Sequence, residues 1–332
     1  MPLNRRIALL SIFAFVGGLA PEKARAGCCE LPGGGCALGV GDESSCLAQG
    51  GVWDSGLICD GTECFKRIYV NANYAGSEDG ASWSTPFSSL YSALSAVATF
   101  PTRSEIWVAS GEYAADTGAF ELPNHVAIIG GFRGAPGDED NNSPTTRNAD
   151  PRTNGTILSG ELAGGLHASV IVLSNGNVDP TSIESFKVTG AAGHAIAAQS
   201  GSQARFLRLY IVGNNDNAQN PSGGAGMHVS ASRVRLTDCI FEENHAYLWG
   251  GAILCEGDSR PEFIGCAFDH NTADFGGGAI RISDDCYPYI EACEFLYNES
   301  PGGFEGGAIA YYGGSAVNSA RLSIRDCYFW GN

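Results

Sequence analysis

A six-residue anchor, Cys-x-Phe-x-x-Asn, recurs through the second half of the chain and limits its fold more than any other feature. It occurs as Cys239-Ile240-Phe241-Glu242-Glu243-Asn244 and again over residues 266–271, 293–298 and 327–332. The spacings are 27, 27 and 34 residues. A Gly-Gly-Ala-Ile stretch follows the first three copies, at residues 250–253, 277–280 and 306–309. An apolar residue stands three places before each Cys: Leu236, Phe263, Ile290 and Ile324. Each repeat therefore carries three short apolar stretches divided by Gly, Asn and polar turns, and none has helical length or period. One such repeat cannot bury its apolar side, whereas a stack of them can. Three strands per coil, stacked in register about 4.8 Å apart, make a parallel β-helix. Cys and Phe, two apart, point to one face and form inward columns, one residue per coil. The Asn column is expected at a turn, where Asn tolerates the left-handed region and bonds neighbouring backbone. The glycine pairs open the corner into the third strand.

Composition agrees. Gly supplies 46 of 332 residues without a three-residue period, so collagen is excluded. An apolar fraction of 44% excludes general disorder. Nineteen Lys and Arg against 36 Asp and Glu give a net charge of −17. That balance opposes non-specific nucleic-acid binding and adhesion to anionic membranes.

Earlier coils are degenerate copies. Ser185-Phe186-Lys187-Val188 leads to Gly193-His194-Ala195-Ile196, and Arg208-Leu209-Tyr210-Ile211 leads to Asn214 and then Gly223-Gly224-Ala225. Buried strands are also expected around Trp107, Ile128, Ile157 and Ile171. Phe87, Leu90, Leu94 and Val97 have helical spacing and predict a helix over the open N-terminal end of the column. Residues 68–332 suffice for roughly eight to ten coils.

The opening segments, including Ile68-Tyr69-Val70, Asp79-Gly80-Ala81-Ser82-Trp83, Glu105-Ile106-Trp107-Val108-Ala109 and Gly111-Glu112-Tyr113, resemble those of secreted bacterial right-handed β-helix proteins of the pectin-lyase-like group. The Gly-Gly-Ala-Ile and Phe-x-x-Asn pairs resemble repeats of chlamydial polymorphic outer-membrane proteins, which are autotransported surface adhesins. No amphipathic β-barrel domain accompanies them here.

Residues 1–26 read as a secretory signal: Arg5 and Arg6, an apolar run over residues 7–19 too short to span a bilayer, and Ala24-Arg25-Ala26 before the cleavage point. Six cysteines follow within residues 28–64, with no His among them. In an exported chain these predict a disulfide-stapled module rather than a zinc site, and fifteen pairings are open. The segment resembles a Cys-rich module found at the start of many secreted bacterial proteins.

The search for chemistry follows the columns. Arg281 should point outward between Leu254 and Ala310, with His228 one coil earlier, which makes no carboxylate array. The column after Cys holds Ile240, Ala267, Glu294 and Tyr328; the column after Phe holds Glu242, Asp269, Leu296 and Trp330. Neither gathers the acids that a lyase or hydrolase needs. Asp284-Asp285-Cys286 and Gly193-His194 resemble two polygalacturonase motifs, in reversed order and without that family's other partners. The six histidines look scattered over turns and surface. One acidic group stands out. Asp258 and Asp285 are one coil apart, with Asp284 beside them, so these carboxylates either share a hard cation such as calcium or splay into solvent.

The expected protein is all-β: a right-handed parallel β-helix with an N-terminal capping helix, behind a small Cys-rich module. Its parts are a signal peptide at 1–26, a disulfide module at 27–65 and a β-helix at 66–332. The helix is expected to continue past Asn332, since the last anchor lacks its Gly-Gly-Ala-Ile strand. The expected function is an exported extracellular or cell-surface binding protein, adhesin-like or glycan-binding, without catalysis in this chain. Its partner is an extracellular glycan or a surface protein, with no nucleic acid and no cofactor other than the candidate calcium ion at Asp258, Asp284 and Asp285. The alternatives are a polysaccharide lyase or hydrolase of the pectin-lyase-like group, and a structural stalk.

Overall fold

The computed structural model describes residues 28–30, 43–49, 52–54, 57–59, 64–98, 100, 103–115, 117–138, 147–160, 169–174, 181–216, 223–283, 286–303, 306–312 and 322–332. The signal-peptide reading for residues 1–26 lies outside them. The chain winds into a right-handed parallel β-helix. A ten-stranded sheet runs from Leu57–Cys59 to Ser323–Arg325, an eight-stranded sheet from Gly111–Ala114 to Tyr328–Trp330, and a seven-stranded sheet from Phe120–Glu121 to Ile309–Tyr312. Only the first strand of the ten-stranded sheet pairs antiparallel, with Cys64–Val70. A fourth face was not expected. Asn215–Asp216, His245–Ala246 and Thr272–Ala273 form a short three-stranded sheet after the Asn turn.

The inward columns match the repeat. Phe241 pairs Phe268, Phe268 pairs Phe295, and Phe295 pairs Phe329. Their rings stack face to face at 5.2, 4.8 and 4.7 Å. Beside them Cys239, Cys266 and Cys293 are buried free thiols, and Cys327 is a partly exposed one. Burial pushes the Cys266 thiol far above its ordinary range. Each Sγ instead donates to a carbonyl of the preceding coil, as Cys266 does to Leu236.

The Asn column differs from the expectation in one respect. The asparagines are not left-handed; the residue before each of them is. Gly213, Glu243, His270, Tyr297 and Gly331 have φ between 51° and 69°. The residue before each Cys is left-handed too: Asp238, Gly265, Ala292 and Asp326, with φ from 51° to 63°. These two left-handed bends thus bracket one three-residue strand in each repeat. Non-glycine residues enter this region only when surrounding structure holds them there. The amides do the holding. Nδ2 of Asn214, Asn244, Asn271 and Asn298 donates to Oδ1 of the next Asn at 2.9, 2.9, 3.0 and 2.7 Å. The same Oδ1 atoms accept a backbone N–H, and each Nδ2 from Asn244 onward also donates to a carbonyl one coil back. At the next corner Gly250 and Gly277 are left-handed, and a Cβ on Gly251 would overlap the Gly278 carbonyl oxygen of the following coil.

Helix Leu90–Ala98 covers the N-terminal end and buries Leu90, Ala93, Leu94 and Val97. Phe87 precedes the helix and instead bridges to Val70. In the Cys-rich segment, Cys28–Glu30 pairs antiparallel with Val52–Asp54, Cys29 is bonded to Cys46, and Cys64 is also disulfide-bonded.

These columns predict an order of mutational cost. Cys266→Ala removes a small buried group and should cost about 1–2 kcal/mol. Asn271→Ala strands polar groups on two neighbouring coils and should cost roughly 2–5 kcal/mol at about 1–3 per buried unsatisfied group. Denaturant midpoints test the order, and equal costs would show that the amides are incidental. Alkylation without reductant should label Cys239, Cys266 and Cys293 only after unfolding.

Candidate functional site

Inward positions are fixed by the repeat, so any site must lie on outward residues. The seven-stranded sheet offers one. Its register places Ala197, His228, Leu254, Arg281 and Ala310 in one column. The next outward positions pair Ser230 with Glu256 and Ser283 with Tyr312. At the corner feeding this sheet, just before the glycine pairs, stand Tyr247, Trp249 and Phe275. Trp249 bridges Gly276, so these aromatic residues occupy adjacent coils. Each is more than a third exposed, unusual for side chains this large.

Trp249, Leu254, Glu256, Phe275, Arg281, Ser283 and Tyr312 line a cleft of about 490 Å³. Arg281 forms its floor at 6% exposure. The guanidinium lies 5.7 Å from the Trp249 ring centroid and 5.1 Å from that of Tyr312. Burial lowers its pKa, yet an Arg stays protonated in proteins. The cleft thus presents a cation framed by two π faces. On the adjacent coils Glu256 Oε1 accepts a hydrogen bond from His228 Nε2 at 3.0 Å. That bond holds the carboxyl below the usual carboxylate range. The His228 ring in turn lies 4.8 Å from the His194 ring.

His194 and His228 correct the expectation of scattered surface histidines. His194 is 8% exposed, and its Nδ1 lies 3.1 Å from the Gly224 carbonyl. The other described histidines do sit at turns or on surface: His125 is left-handed, His245 pairs Asp274, and His270 pairs Asp269. Of the candidate calcium ligands, Asp258 is exposed, with Arg260 3.5 Å away. Ser259 bridges Cys286 on the next coil. Asp284 and Asp285 lie outside the described residues. The columns after Cys and after Phe have the expected register, from Ile240 to Tyr328 and from Glu242 to Trp330.

Two features escaped the repeat reading. Trp249 and Phe275 precede the glycine pairs where no shared residue type marks a column; two large aromatics ahead of Gly-Gly were the available signal. A disulfide also joins Cys255 to Cys286, both buried behind the cleft. The register pairs Cys255 with Ile282, so column logic alone did not bring the two cysteines together.

Residues 169–332 match the family model of the right handed beta helix region. A search of curated proteins gave no match. Among solved structures, pectin methylesterase PemA from Erwinia chrysanthemi is 15% identical with a TM-score of 0.42, covering 70% of this chain and 67% of that one. The Aspergillus niger pectin methylesterase is 15% identical with a TM-score of 0.42, covering 80% and 86%. The Yersinia enterocolitica pectin methylesterase is 14% identical with a TM-score of 0.36, covering 72% and 94%.

The buried imidazole predicts a pH dependence. Burial, then the nearby His228, lowers the His194 pKa from 6.5 to about 4. Above pH 6.5 both folded and unfolded chains hold it neutral. As pH falls below 6.5 the unfolded chain takes the proton first, so stability is lost down to about pH 4. The full loss from this group is about 3 kcal/mol. His194→Gln should remove that part of the acid slope, measured as the denaturant midpoint against pH. Parallel slopes for the two proteins would refute the assignment.

Proposed function

We propose that this is an exported extracellular or cell-surface protein that binds a glycan, adhesin-like and without catalysis in this chain, through the cleft around Trp249 and Arg281. The observation that carries the reading is the framing of a guanidinium by two exposed aromatic rings beside a carboxylate. Flat rings offer apolar area at low entropic cost, and a few fixed polar groups set the ligand's orientation. Sugars match this mixture, with apolar C–H faces and polar rims. Arg281 adds a site for an acidic substituent on the glycan.

Other features support the setting. Cys29–Cys46 and Cys255–Cys286 are disulfides, which persist in oxidising compartments outside the cytoplasm. Among the described residues, no helix is long and apolar enough to cross a membrane. The cleft lining includes one carboxylate, Glu256, whereas glycoside hydrolysis ordinarily uses two facing each other. The repeats' resemblance to those of surface adhesins points the same way. Asp258, Asp284 and Asp285 remain a proposed calcium site at the neighbouring turn. Chelator should lower the melting temperature if they hold an ion, and an unchanged melt removes that proposal.

The binding test is a panel of neutral and acidic polysaccharides, read by retention and by ultraviolet absorbance of unsaturated products. Retention without cleavage is expected, and Trp249→Ala or Tyr312→Ala should weaken it about tenfold, equivalent to ~1.4 kcal/mol. Release of unsaturated or shortened products would overturn the non-catalytic reading. Retention unaffected by either substitution would move the site elsewhere.

A further inference from the structure

Three side chains connect the interior to the rim of the cleft: His194, His228 and Glu256. His228 is the middle one, and its attachments are few. Its Nε2 carries the proton that Glu256 accepts, because a carboxylate has no donor. Its Nδ1 is buried and makes no hydrogen bond. The ring is therefore held by Glu256 on one side and by contact with the His194 ring on the other. His194 donates from Nδ1 to the Gly224 carbonyl, so the bare nitrogen of its neutral form is Nε2.

The charged and titratable groups around His194 come from several elements. His228 faces it from Met227–Ser230, and Glu256 lies beyond on Ile253–Glu256. Asp216, buried on Asn215–Asp216, acts on it electrostatically while accepting the Gly223 N–H at 2.8 Å. The neighbouring strand Ser169–Leu173 brings no titratable group. Around His228 the same His194 and Glu256 are joined, one strand further on, by Arg281, across Leu254.

We propose that His194 and His228 form an acid switch on the cleft: a proton on His194 detaches His228 from Glu256 and takes the carboxylate off the rim. A cation at His194 is shielded from solvent and must be met by a carboxylate. Asp216 is fully buried and held in place by the Gly223 N–H on one oxygen, so it favours that charge from a fixed position. Glu256 is half-exposed, and its bond to His228 is the contact that the new charge competes with. Movement of Glu256 or His228 changes the wall next to Arg281, so the glycan site loses its fixed anion in acid. The low pKa of His194 places this change below neutral pH. The regulatory part of the proposal rests on the glycan reading above; the switch itself does not.

The test therefore has a ligand-free arm. Histidine ring and Trp249 indole resonances are followed by NMR from pH 7.5 to 3 in the full chain, with circular dichroism confirming that it stays folded. Expected is one shared acid step at His194, His228 and Trp249, with the His228 and Trp249 parts lost in His194→Gln. Glu256→Gln should remove the Trp249 step and leave His194 titrating. A His194 step with no response at His228 and Trp249 would overturn the proposal, as would an unchanged Trp249 step in His194→Gln. The second arm measures retention of polygalacturonate oligosaccharides at pH 7 and pH 3.5. The pH effect on retention should differ about fourfold between wild type and His194→Gln, while equal effects in both overturn the switch. No retention at any pH contradicts an acidic-glycan site, and the resonances still decide the switch.

Discussion

A buried amide without partners costs more than most side-chain contacts return. In this chain the cost is met by repetition. Each Asn of the ladder donates to the oxygen of the next and to a carbonyl of the coil behind it, while its own oxygen holds a backbone N–H. No single coil satisfies these groups; two adjacent coils do. The ladder also explains how Glu243, His270 and Tyr297 occupy the left-handed region without being glycine. Their bends aim the following Asn inward, and the amide bonds fix the bends. Register follows from the same contacts. A one-residue slip would turn every Asn, Phe and Cys out of its column.

That dependence explains what the sequence made legible. Columns repeat because each inward residue meets its own counterpart one coil away, so Cys239, Phe241 and Asn244 return with a fixed spacing. The strands, the stacked rings, the free thiols and the capping helix near Leu90 could all be read from that spacing and from apolar pattern. The left-handed residue was harder to assign. Its position is occupied by Gly, Glu, His or Tyr, so composition is silent and only the turn geometry marks it. The fourth short sheet was missed for a similar reason: two-residue strands such as His245–Ala246 carry no period.

The site was least legible, and the cause is physical. Outward residues meet solvent or ligand rather than copies of themselves. Nothing in the stacking requires Leu254, Arg281 and Ala310 to be alike, so the same column holds three unrelated side chains. Arg281 points outward beside them, as the repeat register predicts. The rings that frame its guanidinium lie outside that column, Trp249 at the preceding corner and Tyr312 on the next strand of the sheet. His194 and His228 lie 34 residues apart on adjacent coils of unequal length. Register pairs Ala197, not His194, with His228, and the two rings nevertheless meet at 4.8 Å, tilted by 45°.

Charge gives the cleft its particular character. The chain carries 36 acidic residues against 19 basic ones, so its surface as a whole repels anions. A cation at 6% exposure, framed by rings, escapes much of the screening that weakens a surface lysine. It acts at short range on a group already seated in the cleft, and it contributes little to steering from a distance. On the proposed glycan reading, encounter depends on the apolar faces of Trp249, Phe275 and Tyr312, with Arg281 selecting among the ligands that arrive. This order, aromatic capture followed by polar selection, suits recognition of a polymer that offers many weakly held registers along one stack of coils.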